Sequence, residues 1–232
     1  MKKVLTRSTQ SLIILAASFL ATASVSAAPI TQADSTGTVA FTESQTDIPD
    51  VINPEVPEED GPNGTPGAFA IDYASNFDFG SHALSPKQQT YYAKADTTAF
   101  TKPVAPFIEI HDLRGLGVGN NTQLTVKQLE QFKNGQHKLT GAALTFSMGR
   151  GLNAAGGTYT PSSVPSFTLI PGQAQKVMQT NGTVGQFLTS YGQAADYKGT
   201  TVGGPISLSV PSGSANKGNY TATLQWDLAT AP

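Results

Sequence analysis

Apolar and polar side chains alternate strictly towards the C-terminal end of this chain. Tyr220, Ala222, Leu224, Trp226 and Leu228 fall on one side of an extended backbone, and Thr221, Thr223, Gln225 and Asp227 fall on the other. A period of two predicts a half-buried β-strand. Shorter runs repeat the pattern upstream. Leu124 and Val126 flank Thr125, Leu144 and Phe146 flank Thr145, Phe167 and Leu169 flank Thr168, and Ile206, Leu208 and Val210 alternate with Ser207 and Ser209. From Ile71 to Phe79 the odd positions carry nearly all the apolar bulk, and Val184 to Leu188 is a further short apolar patch. Val104–Ile110 reads as a strand containing Pro106, which predicts an edge or a bulge. The turn-rich stretch Pro211–Gly218 predicts a hairpin joining the last two strands.

Helical periodicity is confined to Val126, Leu129 and Phe132, a turn or so, and 23 glycines and 15 prolines interrupt most other windows. Short alternating strands separated by turn signals predict an all-β fold, a mainly antiparallel two-layer β-sandwich, with a closed barrel as the alternative. No internal repeat of fixed period is present.

The first 27 residues read as a signal peptide. Lys2, Lys3 and Arg7 precede an apolar run from Leu12 to Leu20, and Val25-Ser26-Ala27 forms a small-residue cleavage site ahead of Ala28. A retained membrane anchor fits less well, because the apolar run is short and leads into Thr22, Ser24 and Ser26. The chain is therefore expected outside the cell. Residues 28–42, with the strand candidate Gly37–Phe41, are expected to join the β domain. Residues 43–69 carry seven acidic side chains interleaved with five prolines, and no lysine or arginine lies between Arg7 and Lys87. That composition predicts an exposed, semi-rigid acidic linker ahead of a β domain over 70–232. A calcium loop there would need alternating aspartates ending in glycine, and the spacing is missing.

Charge and chemistry narrow the function. Taking Lys2, Lys3 and Arg7 from the 14 basic residues leaves 11 against 16 acidic ones, a balance with no footprint for nucleic acid. The absence of cysteine excludes thiol catalysis, disulfides and zinc–cysteine or iron–sulfur sites. His82, His111 and His137 lack metal-ligand spacing, no Gly-x-Ser-x-Gly elbow occurs, and Gly115-Leu116-Gly117-Val118-Gly119 has the wrong spacing for a dinucleotide loop. No catalytic constellation and no cofactor is predicted. No Leu-Pro-x-Thr-Gly signal and no lipobox cysteine is found, so attachment to a surface is expected to be non-covalent. The lone tryptophan, Trp226, has two readings. Its strand face is otherwise a core-facing set, which favours packing; at the far end of the strand its indole would line a groove.

Several segments, taken in order, resemble the WxL domain of Gram-positive surface proteins. They are Gly37–Phe41, Ile71–Gly80, Gln89–Lys94, the Asp112-Leu113-Arg114-Gly115 element, the Leu139-Thr140-Gly141-Ala142 element and the terminal Trp226-Asp227-Leu228. One position departs from the pattern: Thr122 stands where the family's upstream motif carries tryptophan, and Leu124 keeps its leucine. The resemblance implies non-covalent attachment to peptidoglycan at the cell wall, with Trp226, Leu228, Leu124 and Arg114 as binding candidates. Arg114 qualifies because its fork can hold a carboxylate or phosphate, although a structural ion pair with a neighbouring loop is the default reading for Asp112 and Arg114. The resemblance also implies association with other WxL or wall-anchored surface proteins. The alternative is a protein-interaction subunit, docked to a membrane-anchored or host protein, whose wall association is indirect. A wall-active hydrolase is the third possibility, with no site to support it.

Overall fold

The computed structural model describes residues 33, 35–46 and 48–231. The signal-peptide reading of residues 1–27 lies outside the described residues. The chain divides into two compact units, Met1–Ala40 and Phe41–Pro232. In the first, described residues 35–40 are exposed and form no strand. The strand expected over Gly37–Phe41 is thus absent, and Val39 and Phe41 stand 77% and 91% exposed.

The second unit is all-β. Its strands are β1 (Asp50–Ile52), β2 (Asp60–Asn63), β3 (Phe69–Ala74), β4 (Gln89–Tyr92), β5 (Phe107–Asp112), β6 (Thr122–Gln128), β7 (Lys133–Asn134) and β8 (His137–Lys138). They continue as β9 (Ala143–Phe146), β10 (Gly149–Asn153), β11 (Ser162–Ser163), β12 (Phe167–Thr168), β13 (Ala174–Thr180), β14 (Gly185–Tyr191), β15 (Ile206–Val210) and β16 (Leu224–Thr230). Three four-stranded sheets, ordered β10-β14-β5-β3, β11-β13-β6-β16 and β12-β9-β15-β4, form an antiparallel sandwich. Their inner faces meet in one core. Phe146 lies at its middle, stacked on Phe167 with ring centres 5.0 Å apart and met edge-on by Phe77 at 5.3 Å. Each fully buried side chain of this size stabilises the fold by roughly 1.5–3 kcal/mol.

Four expectations are corrected. The last two strands are not a hairpin: β15 pairs with β4 and β9, whereas β16 pairs with β6. The turn-rich stretch between them spans two sheets, which local turn chemistry cannot reveal. Val126–Phe132 forms no helix, because β6 runs through Gln128 and its alternation buries Leu124 and Val126. Pro106 marks no edge: β5 starts one residue later and sits inside its sheet, so the missing N–H falls just outside the ladder. The strand expected from Ile71 to Phe79 ends at Ala74 after a bulge between Ile71 and Tyr73, and the apolar residues beyond it leave the sheet.

The acidic stretch is also not the solvated spacer its composition predicts. Residues 49–67 form a strap built on the β1–β2 hairpin. Val51 is buried with Phe100, Val104, Phe107 and Leu188 in a second, smaller core. Asn53 closes the hairpin by accepting from the backbone N–H groups of Glu55 and Val56 at 2.9 and 3.1 Å. Carboxylates then fasten the strap. Glu55 Oε1 accepts from the N–H groups of Ala105 and Ala194, each at 2.8 Å. Ile52 N–H donates to Glu109 Oε2 at 3.0 Å, and Thr65 N–H to Asp72 Oδ1 at 3.0 Å. Gly64 permits that approach, since a Cβ there would stand 2.6 Å from Asp72 Oδ1 and from the Pro49 carbonyl.

The strap explains why all six residues of β5 are buried although three are ionisable. Ile108 and Ile110 face the main core, whereas Phe107 joins the core under the strap. Burial pushes the Glu109 carboxyl up to about 8, against the pull of the Ile52 N–H. Burial also raises Asp72, partly offset by Thr65 N–H and by His111. The His111 ring lies between acceptors, with Nδ1 2.8 Å from Asp72 Oδ1 and Nε2 2.7 Å from the Gly67 carbonyl.

Candidate functional site

The site is built on β16, the edge strand of its sheet. Side-chain alternation turns Leu224, Trp226 and Leu228 inward, half-buried, and leaves Gln225, Asp227 and Ala229 exposed. Across the strand pair Trp226 opposes Val126 and Leu228 opposes Leu124. Thr223 C=O accepts from Leu129 N–H, and Ala231 N–H donates to Asn121 C=O. This parity sends the main-chain groups of the odd positions towards β6. The N–H and C=O groups of Leu224, Trp226, Leu228 and Thr230 therefore point away from the sheet, and they have no backbone partner among the described residues.

Trp226 is not sealed in the interior. It lines an open cleft of about 430 Å³ with Leu224, Ala74, Asn76 and Phe77. The opposite wall is the chain that leaves β3 and fails to continue as strand. A second cleft, of about 370 Å³, shares Phe77, Phe79, Phe132 and Ala222 with the first. Together they make a groove that runs from Trp226 to Tyr220 and Tyr91. Its walls are aromatic: Tyr91 stacks on His82 with ring centres 3.9 Å apart, and Phe79 meets Phe132 edge-on at 6.2 Å. Tyr220 accepts at its hydroxyl from Asn216 N–H at 2.8 Å. At the rim, Lys94 pairs with Asp78 at 2.7 Å and holds that carboxyl below its usual range. The arrangement offers flat apolar faces with few charges, which suits a ligand with apolar faces and a polar perimeter.

The structure brings Trp226 and Leu228 together on one strand but separates the other candidates from the groove. Leu124 is 1% exposed and belongs to the main core, so it supports β16 from beneath. Thr122, at the place of the missing tryptophan, is also buried and shares a hydrogen bond with Thr180. Arg114 clamps the far end of β16. Its Nε and Nη2 donate to the two Asp112 oxygens at 2.9 and 2.8 Å, Nη1 donates to Thr230 Oγ1 at 3.0 Å, and the guanidinium lies 3.5 Å over the Phe69 ring. The ion pair thus forms between Asp112 and Arg114 themselves rather than with a neighbouring loop.

Sequence reasoning missed Phe77, Phe79, His82, Phe132 and Tyr220 as lining residues. Phe77 and Phe79 carried a signal in the alternation after Ile71, but it read as strand. The His82–Tyr91 stack joins residues from separate segments and has no local signature. Among the described residues no group of three or more potential metal ligands occurs, and no helix is long and apolar enough to cross a membrane.

Comparison with known proteins gives one match. The family model described as WxL domain surface cell wall-binding covers residues 28–232. No curated protein and no solved structure matches the chain.

Proposed function

We propose, since this chain belongs to the WxL domain family of surface cell wall-binding proteins, that it attaches to peptidoglycan without a covalent link and that the aromatic groove beside β16 is its glycan-binding site. Family membership gives a binding protein of the cell surface and nothing catalytic. The observation that carries the finer reading is the placement of Trp226: half-buried, on a free edge, lining an open cleft. Sugar rings present C–H groups on their faces and hydroxyls around their rims. Aromatic walls cover the faces, while the groove's open side leaves the hydroxyls in water.

Charge supports this mode of contact. The acidic excess over residues 28–232 would repel a polyanionic wall, so affinity has to come from shape and stacking. Trp226, Tyr91 and Tyr220 are the contact residues in this proposal. Leu228 and Leu124 hold β16 in place, and Arg114 fixes its end. Other WxL or wall-anchored proteins, and host proteins, are partners the same surface could serve.

Sedimentation with sacculi stripped of protein and teichoic acid tests the reading. The 28–232 chain is expected in the pellet, and Trp226→Ala and Tyr91→Ala are each expected to cut the bound fraction several-fold while remaining folded. Full recovery of the unmodified chain in the supernatant overturns it.

A further inference from the structure

Edge strands are commonly blocked by prolines, bulges or inward-pointing charges, because their free main-chain groups template pairing with another strand. None of these blocks β16. Its pairing with β6 has no register shift, it contains no proline, and its single charged residue, Asp227, is on the exposed face. Four outward N–H and four outward C=O groups lie in a row from Leu224 to Thr230, above a cleft whose lining carries no ionisable side chain.

The same chain carries a strand-like segment that pairs with no strand among the described residues. Gly37-Thr38-Val39-Ala40-Phe41-Thr42 has no charge, and its two bulky apolar residues are two positions apart. Extended, it puts Val39 and Phe41 on one side and Thr38, Ala40 and Thr42 on the other. Both large side chains stand in solvent, at 77% and 91% exposure. Six residues of strand span about 20 Å, matching the length of the free edge.

We propose that the free edge of β16 accepts Gly37–Thr42 of a second copy of this chain as an added strand. Val39 and Phe41 enter the cleft beside Leu224 and Trp226, and the outward main-chain groups of β16 complete the ladder. Donor and acceptor are different surfaces, so the contact is heterologous and links copies head to tail. The uncharged lining selects an uncharged strand, because a buried lysine or carboxylate there would have no partner.

The inference goes beyond wall attachment, and because the added strand and a glycan would compete for the cleft beside Trp226, it is tested without sacculi, so that its failure and the failure of the wall-binding reading are read separately. Analytical ultracentrifugation of the 28–232 chain should show a mass that rises with concentration to at least twice that of one chain. The double variant Val39→Asp, Phe41→Asp alters only exposed positions and should stay at single-chain mass. A synthetic peptide of residues 35–42 should suppress the association. On adding it to the double variant, amide exchange at Leu224, Trp226 and Leu228 should slow about tenfold or more, while Gln225 and Asp227, already bonded to β6, should not change. A mass independent of concentration, association that persists in the double variant, or unchanged exchange at those three amides overturns the proposal. So does peptide protection confined to sites away from β16.

Discussion

The β16 edge and the acidic strap solve opposite problems. β16 is half-buried, nearly uncharged along its inner face, and held by alternating side chains, with main-chain groups left free on one side. The strap is rich in proline and carboxylate, yet it is fastened tightly because carboxylates accept from its main-chain N–H groups or from those it covers. In one region side chains do the burying and the backbone stays available. In the other the side chains satisfy the backbone. The contrast teaches that an acidic, proline-rich composition marks a solvated spacer only where its carboxylates have no N–H groups to meet.

The largest expected effect lies under the strap. Glu109 binds its proton more tightly in the folded protein than in the unfolded chain, so the folded state holds more protons between pH 4.5 and about 8. Stability should fall through that window as pH rises, by on the order of 1.4 kcal/mol per pH unit from this group. Glu109→Gln should flatten the slope and make the variant the more stable form at pH 8, as read by urea denaturation at several pH values. An unchanged slope would show that the strap opens before the carboxyl ionises.

Next comes Glu55→Ala, which leaves the Ala105 and Ala194 N–H groups without their charged acceptor. A loss of roughly 3 kcal/mol is expected in the same assay, with faster proteolysis within residues 49–67. A loss below about 0.5 kcal/mol would return the strap to the status of a spacer. Trp226→Ala sharpens the other side of the comparison. A half-buried indole should cost about 2 kcal/mol, short of the roughly 3–5 kcal/mol of a sealed core position. A cost in the upper range would mean that packing dominates at Trp226. The smallest effect is a gain. Tyr191 buries its hydroxyl with no hydrogen-bond partner among the described residues. Tyr191→Phe should therefore raise stability by about 1 kcal/mol.

Periodicity made the sandwich legible. The inward set Leu224, Trp226, Leu228 and the buried Leu124 and Val126 are where alternation put them. A structural ion pair at Asp112 and Arg114 was readable as a type, though its partner was not: the two residues meet each other rather than a neighbouring loop. Three things were not. The pairing of β16 with β6 rather than with β15 depends on a sheet assembled from distant segments. The strap depends on carboxylates finding amides as far as 139 residues away, as Ala194 is from Glu55. The groove's far wall depends on β3 stopping at Ala74, where a bulge has already shifted the register. Each is a tertiary choice between local options of similar cost, and alternation has no vote in it.

The union of β16 with β6 joins residues 102 positions apart, as at Asp227 and Thr125. Loops that long close slowly, because most of their entropy is lost before any contact rewards it. An architecture that locks its edge strand only when such remote segments meet is expected to fold in milliseconds to seconds rather than microseconds, with the β16–β6 ladder among the last contacts to form.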